Sequence, residues 1–257
     1  MVQTQRFNVL GVAMSALDLR LATQGVLQCC QSHRRGYVCV TGVHGVSEAH
    51  RDDGFRRVLN GAVLNTTDGM PLVWLGRQAV GSWVDRVYGP DLMLDVFGAT
   101  RDGAFSHFLY GGMPGVADEL KHRLEARFPG VRIVGTYCPP FRPLTKEEHA
   151  DLVQRVEATR PDLFWVGLST PKQEWFMADN LPHLSCTVML GVGAAFDFHS
   201  GRVRQAPRWI QRSGFEWLYR ISREPRRLWK RYCVNIPLFL GRIVLQKMRL
   251  REYPLAM

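Results

Sequence analysis

Leu163-Phe-Trp-Val-Gly-Leu-Ser-Thr-Pro-Lys-Gln-Glu174 passes from an apolar run, through a polar turn carrying Gly and Pro, into the start of a helix. The apolar part shows no alternation with polar residues, which predicts a strand covered on both faces, as in a parallel sheet. Just upstream, over 147–158, apolar residues recur at the three- and four-residue steps of a helix. Working outward, further short apolar runs rich in β-branched or aromatic residues lie at 38–41, 62–65, 105–110, 131–135 and 187–192, and helical periodicity returns at 18–29 and 116–128. This alternation predicts an α/β, Rossmann-like, mainly parallel sheet with helices on both faces, whose ligands sit beyond the C-terminal ends of the strands.

Charge divides the chain. Residues 202–257 hold 14 of the 33 Lys and Arg against 3 of the 23 Asp and Glu, a net +11, and residues 1–201 carry −1. Over 213–232 a helix is predicted, restarted at Pro225, with Trp217, Leu218, Ile221 and Leu228 on one side and Arg220, Arg223, Arg227 and Arg231 on the other. The stretch 233–245 is mostly apolar but broken by Asn235, Pro237 and Arg242. It is too short and interrupted to span a bilayer, and suits an element lying among anionic headgroups. Two units are expected, a sheet core over 1–201 and a basic helical appendage over 202–257. With no leader-like start and no long apolar run, a cytoplasmic protein is expected, held peripherally on the inner face of the membrane. Six scattered cysteines without ligand spacing read as reduced core residues.

Nearly every predicted strand ends in a loaded turn. In Tyr110-Gly-Gly-Met-Pro-Gly115, Gly111 and Gly112 would let a phosphate approach the backbone at a helix start. Gly135-Thr-Tyr-Cys-Pro-Pro140 offers Tyr137, and Gly191-Val-Gly193 offers two glycines but lacks the third of a dinucleotide fingerprint. In the opening stretch Thr170 is expected to cap a helix begun by Pro171, bringing Lys172 and Gln173 into its first turn against a diphosphate; an ordinary capped helix is the alternative. Asp68, in Thr66-Thr-Asp-Gly-Met-Pro71, is either an N-cap or a general base for a sugar hydroxyl. Thr41 and His44 end the neighbouring strand and line the same predicted cleft, unless His44 is a core residue. Asp197 follows Gly193. No Asp-x-Asp triplet occurs, so no metal or other cofactor is expected, and charge on a departing group would fall to cations and helix ends.

Taken in order, Thr66-Thr-Asp-Gly-Met-Pro71, Arg86-Val-Tyr-Gly89, Tyr110-Gly-Gly-Met-Pro-Gly115, Gly167-Leu-Ser-Thr-Pro-Lys-Gln-Glu174, Gly191-Val-Gly-Ala-Ala-Phe-Asp197, Ala206-Pro-Arg-Trp209 and Gly214-Phe-Glu-Trp-Leu-Tyr-Arg220 resemble the WecG/TagA/CpsF glycosyltransferases, glycosyltransferase family 26, over about residues 6–232. The family includes N-acetylmannosaminyltransferases. The resemblance implies an inverting, metal-independent transfer from a nucleotide-sugar donor, with UDP expected, to a polyprenyl-diphosphate-linked saccharide in exopolysaccharide or cell-surface polysaccharide synthesis. It places Asp68 on the proposed base, Thr41 beside it, and Arg86 and Gln173 in the donor pocket. Arg220 and Arg227, with Lys230 or Arg231, fall on cations that hold the acceptor diphosphate as a lid. An anionic membrane surface and a homo-oligomer are implied as partners. The chain departs from the family at Thr41-Gly-Val-His44, where many members carry Thr-x-Asn-Pro, which leaves hexose and N-acetylhexosamine both open.

Two other classes stay in view. A +11 segment with Trp209, Trp217 and Trp229 could track phosphates and stack bases, although nucleic acid is not the expected partner; salt-dependent oligonucleotide binding without sugar transfer would mark that class. Liposome binding without donor hydrolysis would mark a lipid-docking scaffold.

Overall fold

A computed structural model describes residues 4–223 and 225–255, and the side chains of these apart from 226–232. The chain begins with an antiparallel hairpin of β1 (Arg6–Val9) and β2 (Val12–Ser15), then α1 (Leu19–Gln31), β3 (Gly36–Thr41), α2 (Val43–Arg51), α3 (Asp53–Gly61) and β4 (Leu64–Thr67). It continues with α4 (Met70–Ala79), α5 (Gly89–Ala99), β5 (Ser106–Gly111), α6 (Val116–Arg127), β6 (Arg132–Tyr137), α7 (Lys146–Thr159), β7 (Leu163–Gly167), α8 (Lys172–Asn180) and β8 (Val188–Gly191). Among the described residues there follow α9 (Ala195–His199), α10 (Arg208–Ser213), α11 (Glu216–Arg223) and α12 (Pro225–Lys247).

β3 to β8 form one parallel sheet in the order β4-β3-β8-β7-β5-β6. Successive strand residues face opposite layers, as the pleat requires. Trp165, Leu163, Val188 and Leu190 pack with α1, α5, α6 and α9, whereas Phe164, Val166 and Met189 pack with α2, α3, α7 and α8. Both layers are apolar, which is why these strands read as continuous runs rather than alternating ones. Each fully buried large side chain such as Trp165 or Phe164 contributes roughly 1.5–3 kcal/mol to folding.

The core tolerates one imidazole because its nitrogens are satisfied. His107 on β5 accepts from the Trp165 indole N–H at 3.0 Å through Nδ1, so Nε2 carries the proton toward the Thr100 hydroxyl, 2.9 Å away. Burial pulls this group down to about 3 from 6.5. The unfolded chain therefore binds a proton near pH 6.5 that the folded chain refuses until about pH 3. Stability is complete above that window and is expected to fall by about 1 kcal/mol per pH unit as the pH drops through it. His50 and His199 are also lowered by burial, so the comparison that isolates His107 is urea unfolding of wild type and His107→Gln between pH 7 and 4. A parallel pH dependence in the two proteins would refute the assignment.

Residues 233–245, read in the sequence as an apolar stretch broken by Asn235, Pro237 and Arg242, are part of one helix that runs from Pro225 to Lys247 through Pro237. Its second half returns to the body: Phe239, Ile243 and Tyr253 are buried in the same cluster as Phe7 and Val9. Asn8 Nδ2 donates to the Tyr253 carbonyl at 2.7 Å, and the Leu10 N–H donates to Gln246 Oε1 at 3.1 Å. Of the six cysteines, four are buried as expected, whereas Cys138 is half-buried and Cys233 exposed; all are free thiols.

Candidate active site

After β3 the chain turns to α2 on one face of the sheet, and after the adjacent β8 it turns to α9 on the other. Connections leaving in opposite directions open a crevice at the strand ends, where ligands of doubly wound sheets bind. Two adjoining cavities occupy it. The first, about 240 Å³, lies over the ends of β7 and β8 and is lined by the Gly167–Thr170 and Gly191–Ala194 turns, Gln173, Tyr88, Asp197 and Arg220. The second, about 170 Å³, lies between α2, the start of α4 and the tail helices, against His44, Met70, Arg86, Glu216, Trp217, Asn235 and Ile236. Val40, Asp68, Thr170 and Arg220 belong to both walls.

Asp68 follows β4 directly, and its position is set by backbone. Its N–H donates to the Thr41 carbonyl at 2.9 Å, extending the β3–β4 ladder by one step, and the Arg86 Nε donates to its carbonyl. The α4 cap is Gly69, with no side-chain cap bond, so the Asp68 carboxylate is not spent on capping. Thr41 is buried and lines neither cavity. Its hydroxyl donates to Asn65 Oδ1 at 2.6 Å, and Asn65 in turn is held by Ser15 and Ala13 of β2. Thr41 thus supports Asp68 from below through its backbone carbonyl.

Arg86 joins this turn to the tail. Its Nη2 lies 2.6 Å from Glu216 Oε2 and 3.6 Å from Asp68 Oδ1, Nη1 donates to the Gln211 carbonyl at 3.2 Å, and its guanidinium sits 4.2 Å over the Tyr88 ring. Burial acts to lower the Arg86 pKa, but the Asp68 and Glu216 carboxylates outweigh it and the net shift is upward, so Arg86 is a fixed cation. Burial pushes the Tyr88 hydroxyl up, reinforced by Glu216, and it stays neutral. Arg220 reaches over both cavities with its guanidinium 5.9 Å from the Phe198 ring. His44 lies 3.6 Å from Glu48, and Asn235 of α12 bridges it to Arg51, which fastens the tail beside the second cavity.

Of the residues singled out in the sequence, Asp68, Arg86, Gln173, Gly191, Gly193, Asp197, Arg220 and His44 line the cleft. Gly111, Gly112 and Tyr137 do not, because strand order carries the ends of β5 and β6 past β7, away from Asp68. Gly111 instead allows a close approach: a Cβ there would come within 2.7 Å of the Gly167 carbonyl, at a φ of 132°. Tyr137 stacks on Tyr110 at 5.7 Å. Lys172 is exposed and turned to Phe141, its ammonium 5.2 Å from the ring, rather than into the cleft. Thr170 does not cap α8; its hydroxyl donates to Glu174. Arg227, Lys230 and Arg231 lie outside the residues whose side chains are described. Sequence reasoning passed over Glu216 and Glu174 as site residues. Glu216 carried a signal, being one of three acids in the +11 tail, whereas Glu174 looked like any first-turn carboxylate.

The fold and site define a doubly wound α/β protein with a two-part ligand cleft at its switch point, a carboxylate on the common wall and guanidinium groups around it. Residues 7–253 match the Glycosyl transferase WecG/TagA/CpsF family, nearly the whole chain, and the chain belongs to that family. It is a glycosyltransferase, as the resemblance of its turns implied.

Proposed function

We propose that this glycosyltransferase inverts configuration without a metal ion, moving a hexose or N-acetylhexosamine from a UDP-sugar to a saccharide on a polyprenyl diphosphate in the assembly of a bacterial surface polysaccharide. The observation that carries this reading is Asp68 on the wall shared by both cavities, since a base must touch donor and acceptor sites at once. The first cavity takes the donor and the second the acceptor's terminal sugar. Asp68 accepts the proton of the acceptor hydroxyl as its oxygen attacks the anomeric carbon from the face opposite the leaving group. The bond to the diphosphate breaks and UDP departs with the electron pair. Arg220 offsets the departing charge, with Arg227, Lys230 and Arg231 as further cations of the lid.

Membrane contact is part of the proposal. Leu238, Leu240, Val244, Met248 and Leu250 are exposed on or just beyond α12, among Arg242, Lys247, Arg249 and Arg251. No helix among the described residues is long and apolar enough to cross a membrane. An apolar row flanked by cations suits peripheral seating on an anionic, cytoplasm-facing leaflet. The deciding experiment is a screen of UDP- and GDP-sugars against lipid-diphosphate saccharides, read by the mass of the lipid and the anomeric configuration of the new bond. A gain of one sugar residue from a UDP donor with inversion is expected; retention, or donor hydrolysis without a lengthened lipid, would defeat the proposal.

A further inference from the structure

Gln173 is the second residue of α8 and is only 3% exposed. Its Nε2 donates to Glu174 Oε1 at 3.0 Å, and the same oxygen accepts the Thr170 hydroxyl at 2.9 Å. A carboxylate that takes two donors offers acceptors alone, so the amide can turn only its NH2 toward Glu174. Its carbonyl oxygen is thereby left pointing elsewhere. That oxygen is buried and meets no hydrogen-bond donor among the described residues, and Gln173 and Thr170 both line the first cavity, whereas Glu174 lines neither cavity. A buried acceptor left unmade costs free energy unless a ligand supplies the donor.

The glycines opposite leave room for this amide. A Cβ on Gly191 would stand 2.7 Å from Met177 Cε and 3.1 Å from Gln173 Nε2, and one on Gly193 would stand 3.4 Å from Gln173 Oε1. The Gly191-Val-Gly193 turn, which resembled part of a dinucleotide fingerprint, is therefore fitted to a glutamine. A diphosphate carries only acceptor oxygens near neutral pH, so it cannot supply the donor that the Gln173 carbonyl oxygen calls for. That oxygen is matched to a different group of the ligand from the departing charge that its place in a helix's first turn suggested.

We infer that Glu174 is a positioning residue of the donor site, locking the Gln173 amide so that its carbonyl oxygen receives an N–H or O–H of the nucleotide sugar. This rests on the nucleotide-sugar reading above. The donor group is either on the nucleoside, such as a base N–H, or a hydroxyl of the transferred sugar.

Calorimetric titration of the full chain with UDP and with UDP-glucose tests it. Gln173→Met keeps the side chain's length and removes the acceptor; it is expected to weaken binding about tenfold, the worth of one hydrogen bond. A loss shared by both probes puts the ligand's donor on the nucleoside, and a loss confined to UDP-glucose puts it on the sugar. Glu174→Gln should weaken the same probe by a similar factor in the wild-type background and by nothing further in Gln173→Met. Equal losses in the two backgrounds, or none in either, overturn the positioning role. If Glu174→Gln does not fold, Gln173→Met alone decides, with unchanged affinity for both probes overturning the inference. Wild-type protein that binds neither probe would instead bring down the nucleotide-sugar reading itself.

Discussion

Asp68→Asn is expected to lower turnover by at least about a hundredfold while leaving nucleotide binding close to that of the wild type. The substitution preserves the shape of the side chain and the two backbone bonds that hold this turn, from the Asp68 N–H to Thr41 and from Arg86 to the Asp68 carbonyl. It removes the ability to take a proton. Because the α4 cap is Gly69, the variant loses no helix cap, so the usual alternative explanation for a damaged Asp variant at a helix start does not apply. Single-turnover rates and donor affinity measured on the same preparation separate the two effects. Near-normal turnover would remove Asp68 from the role of base and leave the shared wall of the two cavities without a chemical purpose.

The second large effect concerns stability. Arg86→Leu is expected to cost about 3 kcal/mol or more, because it takes the 2.6 Å ion pair from the Glu216 carboxylate, 13% exposed, and removes a cation 3.6 Å from Asp68. At these exposures solvent screens little, unlike the surface pairs of α6 and α7 such as Arg123 with Glu119 or Arg155 with Asp151. The pair's net worth is a different quantity from the cost of breaking it. Arg86→Leu combined with Glu216→Leu should therefore recover much of the loss in urea unfolding while activity stays low. Limited proteolysis around 211–216 should become faster in the single variant, since Gln211 and Glu216 both hang on Arg86. A single variant as stable as the wild type would mean that the tail is held by other contacts.

How much of this was legible in the sequence depends on what each feature owes to neighbours along the chain and across it. The inner strands β3, β5, β7 and β8 were readable because both faces of each are buried, so their apolar runs carry little competing signal. The hairpin was not. β1 and β2 have four residues each, and their two-residue turn uses Leu10 at φ 53° and Gly11 at φ 87°, a conformation in which leucine is not anticipated. Asp68, Arg86, Gln173 and Arg220 were legible as chemistry in loaded turns and in a cationic helix. Gly111, Gly112 and Tyr137 had the same local character, yet strand order, which no local pattern encodes, places their turns beyond β7. Lys172 looked like a phosphate ligand by its place at a helix start, and only the packing of Phe141 shows where it turns. The Glu174 carboxylate was illegible for a similar reason, because a first-turn acid normally faces water and this one faces Thr170 and Gln173.

The seating of Tyr253 and Gln246 on the β1–β2 hairpin bears on when the enzyme becomes competent during synthesis. Asn8 and Tyr253 are separated by 245 positions, among the most distant pairings a chain of this size can make, and such closures come late in folding. Until residue 253 has cleared the ribosomal tunnel, Phe239 and Ile243 have no completed seat, and the helix carrying Asn235 cannot settle beside His44. A nascent chain would therefore hold Asp68 in an unfinished cleft, and the cleft would be completed only after the final docking residue has emerged.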